Sequence, residues 1–195
     1  MNSAYSPALG RISRSETVLV VIDVQERLAA AMPRRVETAA AVRALARGAR
    51  VLDVPVIATR QYPKGIGEIV AEISEALAGQ PVVDKLAFDC MAEPAFVVAL
   101  RTAGRSRPVL CGMEAHICVT QTALSMVDQG LRPVVVADAV CSRRDVDREV
   151  ALARLRQHGV EVATVEQVLY EMVGQAGTEE FKRVLEVVKE RDACV

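Results

Sequence analysis

Apolar residues fall along this chain in short unbroken blocks, separated by longer stretches patterned at helical spacing. Residues 17–24 (TVLVVIDV) form a continuous Val-rich run, as expected of a strand buried on both faces of a sheet. One charge, Asp23, interrupts it near its carboxyl end. Residues 34–52 carry Val36, Ala40, Leu45, Ala49 and Leu52 at helical spacing, residues 55–59 read as a short strand, and RQYPKGIG after them as a loop. Residues 68–77 predict an amphipathic helix closed by Gly79, Val82 and Val83 a short strand leading to Lys85, and residues 93–103 a helix stopped at Gly104. The stretch from Leu110 to Arg143 organises the rest. It predicts a strand over 109–111, a turn at Gly112, a helix over about 117–129 stopped at Gly130, and a strand over 133–140. Asp145 is the expected cap of a helix reaching His158, with Gly159 as its stop. A last strand over 160–163 and helices from about Val165 and Thr178 complete the chain.

Strands alternating with helices predict an α/β fold in three layers, a doubly wound, mainly parallel sheet of Rossmann-like type. No Gly-, Ser- or Pro-rich linker divides the chain, so residues 17–195 are expected to form one domain, preceded by an arm over 1–16 that lies on the surface. In such sheets ligands bind beyond the carboxyl ends of the strands, where strand order reverses. Asp23, Lys85 and Cys118 each fall at or just after the end of a predicted strand, so topology places three unlike reactive groups on one rim.

Composition narrows the classes. Apolar residues make up 51% and aromatics only 3%, with no Trp, so the core is built mainly from Val, Ala and Leu. A net charge of −1 with interspersed signs gives no reason to expect a nucleic-acid partner. No apolar run has membrane-spanning length, and the N-terminus lacks the apolar segment of a signal peptide. Five cysteines with no C-x-x-C pair argue against a disulfide framework and for a reducing cytoplasm. With only His116 and His158, a His-rich metal site is excluded by count; no cofactor or metal is expected. A dinucleotide-binding G-x-G-x-x-G is missing after the first strand, and a G-x-S-x-G elbow is missing throughout.

Cys118 sits where the turn becomes a helix. First-turn amides lack intrahelical partners and carry partial positive charge, so a thiol there should ionise more easily than a free one. The same amides can receive charge developing on a carbonyl oxygen. Taken singly, each residue also has a plain structural role: Cys118 as a small buried hydrophobe, Asp23 as a cap for a helix starting at Gln25, Lys85 as a surface lysine, His116 as rim lining.

The segments VVIDVQERL, DKLAF, CGMEAHICVTQTA and VVADAVCSR, in that order, resemble the isochorismatase-like cysteine hydrolase family. The resemblance runs from about Thr17 to Val165. It implies an Asp-Lys-Cys triad at Asp23, Lys85 and Cys118, and a non-proline cis peptide at Met113–Glu114. It also implies an oxyanion hole from the amides of Glu114 and Cys118, and a homo-oligomer. Nicotinamidases of the family carry an Asp and several His after the second strand to hold a metal. TRQYPKGIGEI has neither, which resembles the branch catalogued only as isochorismatase-domain proteins. Position alone marks Gln61, Tyr62, Phe88 and His116 as pocket walls. The expected function is hydrolysis of a small amide, or a related carbonyl C–N substrate, through a Cys118 thioester, with Asp23 as base and Lys85 as stabilising cation. The alternatives are vinyl-ether hydrolysis of the isochorismate type and a non-enzymatic oligomeric or redox-responsive protein.

Overall fold

The computed structural model describes residues 10–194. Six parallel strands form one sheet: β1 (Thr17–Ile22), β2 (Val56–Gln61), β3 (Val82–Lys85), β4 (Arg107–Met113), β5 (Val134–Cys141) and β6 (Glu161–Ala163). Their spatial order is β3-β2-β1-β4-β5-β6, so the chain winds outward to one side from β1 and then crosses back to build the other half. The reversal lies between β1 and β4, which pair in parallel along their length, Thr17 beside Arg107 through Ile22 beside Gly112.

Both faces are covered. Short helices α1 (Glu26–Ala30) and α3 (Pro63–Ile66) follow β1 and β2 at the carboxyl rim. Leu19 and Val21 of β1 enter one core, with α2 (Arg35–Val51), α8 (Val165–Val173) and α9 (Glu179–Asp192). Val18, Val20 and Ile22 enter the other, with α5 (Pro94–Ala103), α6 (Thr120–Asp128) and α7 (Asp145–Gln157). Alternation on one strand thus feeds two cores, which is why β1 shows no polar face in the sequence. The alanines of α2 (Ala39, Ala41, Ala44, Ala46 and Ala49, all buried) let that long helix lie close on the sheet without aromatic bulk. Among the described residues no helix is long and apolar enough to cross a membrane.

Several local expectations change. The first nine residues of the expected arm lie outside the described residues, and the rest is anchored: Ile12 is buried in the core and its amide donates to Glu171. The helix expected over 68–77 is regular only as the one-turn α4 (Ala71–Ser74). Asp145 is the first helical residue of α7 rather than its cap, which is Arg144. Between Leu110 and Gly112 the β4–β5 register jumps from Val135 to Val140. The bulge this creates in β5 is held by Arg148, whose guanidinium donates to the carbonyls of Ala137 and Val140.

Gly112 permits the closest approach at the reversal. Its φ is +115°, and a Cβ there would stand 2.0 Å from the Ile22 carbonyl oxygen. Only glycine fits a backbone so placed.

Candidate active site

The ends of β1, β3 and β4 deliver Asp23, Lys85 and Cys118 to one buried cluster. Asp23 follows β1 with φ +52°. This left-handed turn is uncommon outside glycine but tolerated by Asp. One carboxylate oxygen, Oδ2, lies 2.6 Å from Lys85 Nζ; the other accepts a 2.7 Å hydrogen bond from Thr59 Oγ1. The side chains of Asp23 and Lys85 are both fully buried. Lys85 Nζ also donates to Gln61 Oε1 at 2.6 Å, to the carbonyls of Ala87 and Phe88 at 3.2 and 3.4 Å, and approaches Cys118 Sγ at 3.6 Å. A buried ammonium survives only among acceptors, and here every neighbour of Nζ is one. Burial opposes its charge, but Asp23, Cys118 and Cys90 outweigh burial, and the lysine pKa is raised above its ordinary value.

The loop after Lys85 is shaped to supply those acceptors. The amides of Leu86 and Ala87 donate to the Glu93 carboxylate, while the Ala87 and Phe88 carbonyls turn inward. Those same amides hold the Glu93 carboxyl below its usual value.

Cys118 lies in a wide π-type turn, Ala115–Val119, that runs into α6. The Glu114 carbonyl receives the amides of Ile117 (3.1 Å) and Val119 (3.3 Å), the second an i→i+5 bond that passes over the Cys118 amide. Such turns are rare and concentrate at functional sites. The peptide between Met113 and Glu114 is cis. The Glu114 carboxylate is buried and accepts from the backbone and side chain of Arg143.

One expectation fails. The thiol of Cys118 does not ionise more easily than a free one: burial first, and the Asp23 charge second, push it up to about 12, with Lys85 opposing both. The helix start contributes positive charge, but the residue is only 5% exposed and its sulfur faces a carboxylate. Burial and the Asp23 charge thus favour the thiol over a preformed thiolate.

The four residues expected as pocket walls divide. Gln61 is buried behind the cluster and bonded to Lys85. Tyr62 and Phe88, on the loops that follow β2 and β3, are half exposed, and Leu86 is 72% exposed. His116 is partly buried and pairs with Ser142 Oγ at 2.9 Å. Two residues of the cluster escaped the sequence reading. Thr59 and Gln25 are buried polar groups whose only sequence signal is a polar residue inside, or right after, an apolar strand block.

Comparison with known proteins supplies the lineage. The isochorismatase domain family model matches residues 17–167. The chain is 40% identical over 196 residues to isochorismatase domain-containing protein 2 of Pongo abelii, covering 96% of this chain and 90% of the relative. Among solved structures it resembles a MAR1 ribonuclease from Caenorhabditis elegans, with TM-score 0.86 and 35% identity over 92% of this chain and 93% of that one. It shares its fold with the YcaC gene product of Escherichia coli, an octameric hydrolase of unknown specificity, with TM-score 0.85 and 21% identity over 94% of each chain. With strand order, covered sheet and matched segments in agreement, the chain belongs to the isochorismatase family.

Proposed function

We propose that the protein is a cysteine hydrolase of small amides or related carbonyl C–N substrates, with Cys118 as nucleophile, Asp23 as general base and Lys85 as stabilising cation. The observation that carries this reading is the position of one ammonium, 2.6 Å from Asp23 Oδ2 and 3.6 Å from Cys118 Sγ, at the carboxyl ends of the strands where the sheet reverses.

The Cys118 proton passes to Asp23 as the sulfur attacks the substrate carbonyl carbon. The carbonyl π pair moves onto oxygen, and the amides of Glu114 and Cys118 receive that charge. Collapse of the tetrahedral adduct breaks the C–N bond. The proton held on Asp23 goes to the leaving nitrogen, releasing ammonia or an amine and leaving a thioester on Cys118. Asp23 then takes a proton from water, whose oxygen attacks the thioester. The carboxylic acid departs and the sulfur recovers its proton. Lys85 remains charged throughout and steadies each anionic partner, which its cage of acceptors favours.

Tyr62, Leu86 and Phe88 are exposed apolar side chains on the loops that follow β2 and β3, and His116 is a partly buried polar group after β4, so the substrate is read as small and amphipathic. The octameric fold relative supports a homo-oligomer, in which such exposed apolar side chains have a use. Residence in a reducing cytoplasm belongs to the same reading and is supported by the free cysteines alone.

The test is a panel of small amides assayed for ammonia, with Cys118→Ala as control and intact-mass detection of the acyl adduct. Ammonia release that persists in Cys118→Ala would end the proposal. Pyruvate release from isochorismate, without ammonia from any amide, would favour vinyl-ether hydrolysis. RNA belongs in the panel because of the C. elegans relative. The cations of the cluster, however, are already engaged, Lys85 by Asp23 and Arg143 by Glu114, leaving little to bind a phosphodiester.

A further inference from the structure

Behind the triad lies a chain of buried amides that the proposed chemistry does not use. Gln25 closes both backbone groups of Gln61: its Oε1 accepts from the Gln61 amide at 2.7 Å, and its Nε2 donates to the Gln61 carbonyl at 3.1 Å. The same Nε2 donates to the Gly67 carbonyl at 2.7 Å. Gln25 therefore behaves like one more backbone strand, fastening the end of β2 to the segment that follows β1. Fixed in this way, Gln61 spends its own amide in one orientation. Its Nε2 donates to the Leu86 carbonyl at 2.8 Å, which turns Oε1 toward Lys85 Nζ at 2.6 Å. Both glutamines are buried, where an unpaired amide would be costly, so neither has a second arrangement of comparable energy.

From this geometry we infer that Gln61, clamped by Gln25, is a positioning residue that aims the Lys85 ammonium at Cys118. An ammonium has three protons, and Nζ has five acceptors within reach, of which the sulfur at 3.6 Å is the most distant. Gln61 fixes one proton direction and Asp23 a second, and the third is left toward the sulfur and the two loop carbonyls. Without the Gln61 oxygen the ammonium settles onto Asp23 and those carbonyls, and the weakest contact is lost first. The inference rests on the reading of Cys118 as nucleophile, but not on any particular substrate.

The experiment is alkylation of the whole chain by iodoacetamide at pH 7.5, with Cys118 modification read by peptide mass spectrometry and thermal melting followed in parallel. Gln61→Met keeps the size and removes the acceptor. It is expected to slow Cys118 alkylation about tenfold, the scale of one hydrogen bond to a charged group. Gln25→Met is expected to slow it in the same sense by releasing the clamp. Because the two act in series, Gln25→Met added to Gln61→Met should give no further loss in alkylation. A Gln61→Met protein that alkylates at the wild-type rate overturns the inference, as does a double variant in which the two losses multiply. If Gln61→Met does not melt cooperatively, Gln25→Met decides alone, and an unchanged rate refutes the assignment. Wild-type Cys118 that resists alkylation altogether would refute the nucleophile reading instead, which keeps the two failures apart.

Discussion

Replacing Asp23 by Asn separates a base from a mere neighbour. In the native cluster burial and Asp23 move the Cys118 thiol from 9.0 up to about 12. Three pKa units correspond to about 4 kcal/mol against the thiolate. At pH 7.5 an isolated thiol with such a value would be ionised in roughly one molecule in 30,000, against roughly one in 30 for an ordinary cysteine. Only the thiolate attacks, so direct ionisation would leave Cys118 about a thousandfold slower than a free cysteine peptide. In the proposed reaction the proton passes to Asp23 as the sulfur attacks, so no free thiolate has to form first and no proton goes to solvent. Alkylation of Cys118 by iodoacetamide is therefore expected to be level across pH 7–9, whereas a free peptide climbs about tenfold per unit below its pKa. The Asp23→Asn substitution keeps the shape, can still accept from Thr59 and removes the charge. The thiol pKa then falls below about 12, yet the internal acceptor is gone. Alkylation at pH 7.5 should drop at least tenfold and regain a slope of one per pH unit. The assay is peptide mass spectrometry across the pH series, with the melting profile as folding control. A wild-type profile that climbs tenfold per unit through pH 8, or an Asp23→Asn profile that matches the wild type, refutes the reasoning.

Other consequences follow from the same geometry. Lys85→Met leaves a buried carboxylate without its counter-charge, and breaking a buried pair costs about 3–5 kcal/mol; calorimetry should show a melting temperature lower by roughly 10 °C, and an unchanged value would disprove the pairing's weight. Stability should also fall in alkali. Burial first holds the thiols of Cys90, Cys118 and Cys141 up to about 11, 12 and 11, and Cys111 higher still, against 9.0 unfolded. Raised folded values mean that this stabilisation is complete below pH 9 and is lost as pH rises, by about 1.4 kcal/mol per thiol at pH 10. Denaturant melts at pH 8 and 10 test it, and equal midpoints would contradict it. Gly112→Ala places a methyl against the Ile22 carbonyl and should cost more than about 4 kcal/mol, read as loss of soluble protein; a soluble variant with native melting would show that the strands can part there.

The winding of the sheet was legible because its strands announce themselves as apolar blocks and its helices by spacing and glycine stops. The parallel order follows once the strands are buried on both faces. Boundaries fared worse where side chains rather than periodicity decide them. The 68–77 pattern is amphipathic, yet only Ala71–Ser74 is regular, because Glu68 and Ile69 are drawn into contacts with Glu26 and Gln25. The jump in β5 left no trace in VVVADAVC, since each of its residues suits a strand and the displacement depends on Arg148 from the next helix.

What the sequence could not supply is the sense of the electrostatics. A cysteine at a helix start invites the inference of an easily ionised thiol, and that inference uses only local charge. It omits desolvation, which depends on what covers the sulfur, and the carboxylate delivered from β1, far away along the chain. Both act against the thiolate, and together they outweigh Lys85. A site arranged in this way keeps its sulfur from losing a proton to solvent. Under the proposed reading, attack on an electrophile is coupled to transfer of the thiol proton to Asp23, and this coupling is what the alkylation profiles test. The buried polar groups Thr59, Gln61 and Gln25, in a core otherwise made of Val, Ala and Leu, have partners in the same network: Thr59 holds Asp23, Gln61 holds Lys85, and Gln25 holds Gln61.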